Sequence, residues 1–227
     1  MVHFHGGGYC IGSALTPRSW AAHLSARAGC RVVLPEYRLA PEHPHPAALE
    51  DARAVLAALS AEAEPGSIVV SGDSAGGGLA LALLLSLRDE GQDLPAGAIL
   101  LSPWLDLGRD RRADPDLVRR DVVLSPGWLG ACARAYADPS AWAGHPVSPL
   151  RAEHAGLPPL LIQAGTDELL APDAGLLAAS ASAGADVTYT RWPRMWHDFV
   201  LQPGLLAAAD SALAQAAWFL SKVTAKA

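Results

Sequence analysis

The chain has 227 residues, 51% of them apolar and 18% charged, with a formal net charge of −6. That suits one domain with a sizeable core and an inserted segment, and it excludes a disordered chain. The acidic balance argues against a nucleic-acid surface, and the longest purely apolar run, near residues 79–85, is too short to span a bilayer.

The first strand is expected at residues 2–5, where MVHFHGGGYCIGS carries Val2 and Phe4 straight into three glycines. A helix follows at 17–28, then a strand at 31–37 and a helix at 46–63. Residues 67–71 read as a strand, 75–90 as a helix and 98–102 as a strand. The second half continues with a strand at 159–164, a helix at 172–183, a strand at 186–192 and a helix at 203–222. The strands are short apolar runs bounded by Gly, Pro or polar residues, as strands covered on both faces should be. Several helices open on Pro and close near Gly. Six strands alternating with helices imply an α/β fold with a mostly parallel, doubly wound sheet. Residues 103–151 break the rhythm. They are too long for a simple crossover, and they carry a short helix at 126–136. They read as an insertion above the C-terminal edge of the sheet, where open α/β folds bind ligands. The core is then 1–102 and 152–227.

The three cysteines, Cys10, Cys30 and Cys132, are scattered, so they form neither a disulfide framework nor a zinc pattern. They read as reduced thiols. With no basic and apolar leader after Met1, the expectation is a cytoplasmic protein without stable membrane insertion.

The chemistry concentrates in three places. Gly72-Asp73-Ser74-Ala75-Gly76 is a G-x-S-x-G between a strand and a helix. Small residues there permit a sharp turn that lifts the Ser74 hydroxyl to the top of the sheet. A Walker lysine and a G-x-G-x-x-G spacing are both absent, which counts against a phosphate loop. His5-Gly6-Gly7-Gly8 can turn backbone N–H groups toward a developing oxyanion, the donors being Gly7, Gly8 and Ala75. Asp167 follows a strand in PLLIQAGTDELL, and His197 follows the last strand in RWPRMWHDF. The order Ser74, Asp167, His197 is that of a nucleophile, an orienting acid and a base on this topology. Glu168, Asp173 and Asp106 rival Asp167, and its place at the strand tip favours it. His23 and His154 read as surface or loop residues. His3 and His5, with His43 and His45, form two H-x-H pairs, but no matching carboxylate set stands out, so no metal and no cofactor are expected.

HGGG, EYRLAPEHPHPAA, GDSAGG, SPWLDL, AGTDELL and WPRMWHDF occur in this order along essentially the whole chain. Together they resemble the hormone-sensitive-lipase-like branch of the α/β-hydrolases, the bacterial family IV esterases. The resemblance implies an α/β-hydrolase fold with a partial helical cap, no cofactor, and hydrolysis of short- to medium-chain carboxylic esters. It maps the triad onto Ser74, Asp167 and His197 and the oxyanion donors onto Gly7, Gly8 and Ala75. It gives Tyr37, Arg38 and Glu42 a supporting role. Two positions depart from the family: Glu36 stands where Asp is usual, and Asp198 where Gly is frequent. Asp198 is expected to point to solvent. In the family HGGG follows the third strand of eight, so the first two strands and part of the cap have no counterpart here. Residues 31–37 are then left as a sheet edge. By the same resemblance, residues 186–192 offer an edge for a homodimer. The partner implied is a small ester. Amide, formamide or lactone hydrolysis on the same machinery, or an inactive fragment or binding protein of this fold, are the alternatives, since the motif defines the nucleophile and not the leaving group.

Overall fold

The computed structural model describes residues 1–225. Five parallel strands form one sheet in chain order: β1 (Val2–Phe4), β2 (Val69–Asp73), β3 (Gly97–Leu101), β4 (Leu160–Gly165) and β5 (Val187–Trp192). The helices are α1 (Arg18–Ala28), α2 (Ala47–Ser60), α3 (Ala75–Asp89), α4 (Pro115–Arg120), α5 (Pro126–Tyr136), α6 (Ala171–Ala181) and α7 (Ala207–Thr224).

The two-residue period of the strands sorts the core into two layers. Val69, Ile99, Leu101 and Leu161 pack on one side with Trp20 and Leu24 of α1 and Leu213 and Phe219 of α7. Val70, Ala98, Leu100, Leu160 and Ile162 face the other way, onto α2, α3 and α6. Helix α3 is apolar nearly all round, and Ala75 through Leu85 are all buried. A helix of that pattern must be enclosed, and α3 lies against the sheet centre with α2 on its other flank.

The expected sixth strand does not form. Residues 31–37 are extended, but Val33 alone makes a bridge, to Val2, with Val33 N donating to Met1 O and His3 N to Val33 O. Two features explain the short ladder. Pro35 lacks a donor, and Tyr37 turns inward to donate its hydroxyl to His5 O at 2.7 Å. At the opposite edge β5 is only half-buried.

Residues 103–151 hold α4 and α5. The first helix escaped the sequence reading although Asp114-Pro115 is a cap followed by a first-turn proline. Asp114 Oδ1 accepts from the N–H groups of Asp116 and Leu117. The stretch is tied to the core through Asp173 of α6, which is fully buried. Its carboxylate accepts from the N–H groups of Leu105 and Asp106 and pairs with Arg111 at 2.7 Å and Arg109 at 3.0 Å. This disposes of Asp173 as a rival acid, since its lone pairs are spent on structure. Removing one partner of a buried pair leaves uncompensated charge, so Asp173→Ala is expected to cost about 3–5 kcal/mol. In a thermal melt that is a fall in Tm of roughly 10 °C. An unchanged Tm would show that the cluster is not a structural anchor.

Candidate active site

Ser74 sits at φ 53° and ψ −120°, a costly conformation for a residue with a side chain. Its neighbours impose it. Ser74 N donates to Leu101 O, and Trp104 N donates to Ser74 O, both at 2.9 Å, so the turn is pinned to the end of β3. A Cβ on Gly76 would stand 2.0 Å from Phe4 O, and one on Gly72 would stand 2.1 Å from Gly76 O. Only glycine allows the turn to close this tightly against β1. The hydroxyl is thereby held at the C-terminal edge of the sheet, at the start of α3.

The glycine loop leaves β1 alongside. Gly6 N donates to Asp73 Oδ2 at 2.9 Å, and His3 Nε2 lies 2.9 Å from Asp73 Oδ1. The carboxylate between Gly72 and Ser74 thus ties the loop to the turn. His5 Nδ1 donates to Gly6 O at 2.7 Å, and its ring stacks on Tyr37 with centroids 4.3 Å apart. Arg38, next to Tyr37, ties its own segment to α2 through Asp51 and Glu50. Gly7 has φ 120°, open to glycine alone, and a Cβ there would meet Ile11 O at 2.0 Å. The Gly7 and Gly8 N–H groups donate to no protein acceptor among the described residues. Ala75 N–H opens α3, where the first donors lack a helical partner. The Ala75 N–H thus adjoins Ser74 at a helix N-terminus that favours negative charge, and the glycine loop comes up against the turn at Gly6, where a Cβ would stand 3.0 Å from Ser74 Cβ. Helix α5 backs the loop, for Cys132 Sγ would stand 2.8 Å from a Cβ on Gly8. All three cysteines are free thiols.

His197 reaches this point from the loop after β5. Its Nε2 lies 2.9 Å from Ser74 Oγ and its Nδ1 2.9 Å from Glu168 Oε2, so that in the neutral ring Nδ1 donates to Glu168 and Nε2 accepts from Ser74. The structure does not bring Asp167 to the imidazole. The Asp167 carboxylate turns outward to Arg120 at 3.1 Å and to the Thr166 hydroxyl at 3.2 Å. Glu168, the next residue, is wholly buried, and its other oxygen accepts from Gly165 N at 3.0 Å. Beyond the strand the chain turns, and consecutive side chains point to opposite sides. Position at the tip could not decide between 167 and 168. Asp106, the remaining rival, pairs with Arg151 at 2.8 Å.

Two further expectations change. His154 lies in a loop as expected, but not at the surface. It is buried, with Nε2 donating to Pro149 O and Nδ1 accepting from the Ser180 hydroxyl. Asp198 does not point to solvent either. Its Oδ2 lies 3.1 Å from His197 Nε2, and its side chain is 20% exposed.

Burial alone would lower the His197 imidazole. The carboxylates of Asp198 and Glu168 more than offset this and hold it well above its ordinary value. Burial pushes the Glu168 carboxyl up, and the imidazole pulls it part of the way back. Such a set can deprotonate a serine, keep the imidazolium oriented and hold an oxyanion.

A family model described as alpha/beta hydrolase fold matches residues 1–201. An acetyl-hydrolase of Streptomyces hygroscopicus is 39% identical over 230 residues, which cover 99% of this chain and 76% of that protein. An esterase of Acinetobacter venetianus is 36% identical over 226 residues, 98% of this chain and 75% of that one. Among solved structures, an esterase from the bacterial hormone-sensitive lipase family superposes with a TM-score of 0.90 at 38% identity, covering 99% of this chain and 76% of that chain. The protein EstE5, soaked with p-nitrophenyl butyrate, gives 0.92 at 38% identity with the same coverage.

Proposed function

The chain belongs to the α/β-hydrolase fold family, among the bacterial esterases of the hormone-sensitive lipase group, and on that premise we propose that it hydrolyses short- to medium-chain carboxylic esters through an acyl-enzyme on Ser74. The observation that carries this reading is the single imidazole that bonds Ser74 on one nitrogen and Glu168 on the other.

In the first half-reaction Ser74 Oγ attacks the ester carbonyl while its proton passes to His197 Nε2. The new C–O bond pushes the carbonyl pair onto oxygen, where Gly7, Gly8 and Ala75 donate. Glu168 keeps Nδ1 protonated and the ring in line, taking the role that the sequence reading gave to Asp167. The imidazolium then protonates the leaving alkoxide as the ester C–O bond breaks. In the second half-reaction water replaces Ser74 by the same steps in reverse roles, releasing the acid. The stretch 103–151 acts as the lid on this core, with Cys132 backing the oxyanion loop and Asp121 accepting from Leu169 N beside Glu168 at 2.7 Å. Two relatives named acetyl-hydrolase support a small acyl group. Among the described residues no helix is long and apolar enough to cross a membrane.

Mixing the protein with a nitrophenyl acetate or butyrate ester should give a burst of one nitrophenol per chain before steady turnover. Acid quench and peptide mass analysis should place one acyl group on the Ser74 peptide. Turnover with the acyl group on another residue, or none at all from the folded chain, would overturn the proposal.

A further inference from the structure

Asp198 has no task in the scheme above, yet it stands against the atom that moves the proton. The hydrogen-bond position on His197 Nε2 belongs to Ser74 Oγ, and Asp198 Oδ2 adds a carboxylate 3.1 Å from the same nitrogen. Its placement is built. Asp198 adopts a left-handed conformation, φ 57°, which turns the side chain back toward the ring it follows. Its N–H donates to Ser102 Oγ at 3.3 Å, and Ser102 itself has φ 44°. Its Oδ1 is buried without a protein partner among the described residues. The carboxylate is thus stripped of most water and has the imidazole as its ion-pair partner.

We propose that Asp198 is a second carboxylate on the base, placed to stabilise the imidazolium that forms when Ser74 attacks, and that it ties turnover to rising pH. This inference rests on the esterase reading of the site. The charged groups that face the pair are Glu168 at Nδ1 and Asp73 from β2, both carboxylates. Asp73 is already engaged by His3 and Gly6 N. Ser74 and Ser102 contribute neutral hydroxyls. No cation among these groups opposes the two acids that flank the ring.

The consequence has a definite sign. A carboxylate beside Nε2 favours the protonated ring, and a protonated ring cannot accept the serine proton. The base becomes available only when the His197–Asp198 pair loses its proton, so the acid limb of kcat/KM lies above the ordinary histidine value, and activity rises with pH through it. Above the limb the same carboxylate helps, because the proton arriving from Ser74 is met by a counter-charge. Asp198 therefore costs activity at low pH and adds it at high pH. The proton inventory is unchanged: one proton leaves Ser74 for Nε2 and then leaves Nε2 for the alkoxide.

The test uses Asp198→Asn and Asp198→Gly, two residues that tolerate the left-handed backbone. Full pH profiles of kcat/KM on a nitrophenyl ester should show the acid limb moved down by about one pH unit in both variants. On the acid side the ratio of variant to wild-type activity should rise about tenfold relative to the alkaline plateau, where the variants should be slower by a few fold. Profiles that superpose on the wild type, or a limb that moves up, would overturn the inference. Histidine NMR of the unmodified protein, with the resonance assigned by its loss in His197→Gln, gives a second readout should both variants misfold. The imidazole should titrate above about 6.5, the free value, and titration at or below it would equally refute the role. Ser74→Ala separates the two levels. Loss of turnover in Ser74→Ala with unmoved Asp198 profiles removes this inference alone. Survival of turnover in Ser74→Ala removes the serine mechanism beneath it.

Discussion

Replacing Ser74 with Ala should lower kcat/KM for ester hydrolysis by about 10⁵–10⁶-fold and leave the melting temperature nearly unchanged. The magnitude follows from the removal of the atom that forms the acyl bond in the proposed mechanism. The imidazole, the carboxylate and the donors at Gly7, Gly8 and Ala75 remain in place, so a small residual rate from oxyanion stabilisation should persist. The fold should tolerate the change because the strain at φ 53° is held by backbone bonds to Leu101 and from Trp104, neither of which uses the hydroxyl. Steady-state kinetics and a thermal melt on the same preparation check both halves. A variant within tenfold of the wild type would remove Ser74 as nucleophile.

The second large effect separates two adjacent acids. Glu168→Gln should cost about 10³–10⁴-fold in kcat/KM, and Asp167→Asn less than about tenfold. An amide at 168 can turn its NH₂ toward His197 Nδ1, which then accepts and leaves the proton on Nε2. That is the wrong tautomer for taking a proton from Ser74. Asp167 sits 23% exposed in a contact with Arg120, and surface pairs of this kind contribute little. The reverse ranking would return the acid role to Asp167 and make the His197–Glu168 bond incidental. Measured side by side on one ester, the two variants decide the matter without any assumption about substrate.

How much was legible varied with the range of the interaction. The G-x-S-x-G turn could be read from the sequence because its requirements are local. Gly72 approaches Gly76 across four residues, and the clash that excludes a side chain at Gly72 arises within the turn, although Gly76 is constrained by Phe4 O of β1. The strands β2, β3 and β4 were legible for a similar reason. A strand enclosed on both faces must be apolar throughout, and IVV, AIL and LLI have no other use in a chain this size. Helix α4 was hidden in a charged stretch, where its Asp114 cap is the visible signal.

Long-range geometry set the rest. Residues 31–37 look like a strand, but a ladder needs two donors and two acceptors in register, and Pro35 and the inward Tyr37 prevent it. Asp167 and Glu168 are indistinguishable as letters at the end of β4. The direction of each is chosen by what lies around the turn: Met195 O, which accepts from Asp167 N, and the buried imidazole that Glu168 alone can reach. Asp198 is the clearest case. A carboxylate after a histidine belongs in water by default, since burying it is costly. It is largely withdrawn from water here because a left-handed turn folds it back onto a ring that can carry the opposite charge. The sequence by itself determined the fold family, the G-x-S-x-G turn between a strand and a helix, and the enclosed strands β2, β3 and β4, all of which depend on neighbours a few residues apart or on burial of whole segments. Which acid faces the base, and that a second one stands beside it, was decided only when loops after β4 and β5 met over Ser74, because side-chain direction in a turn is set by contacts from elsewhere in the chain.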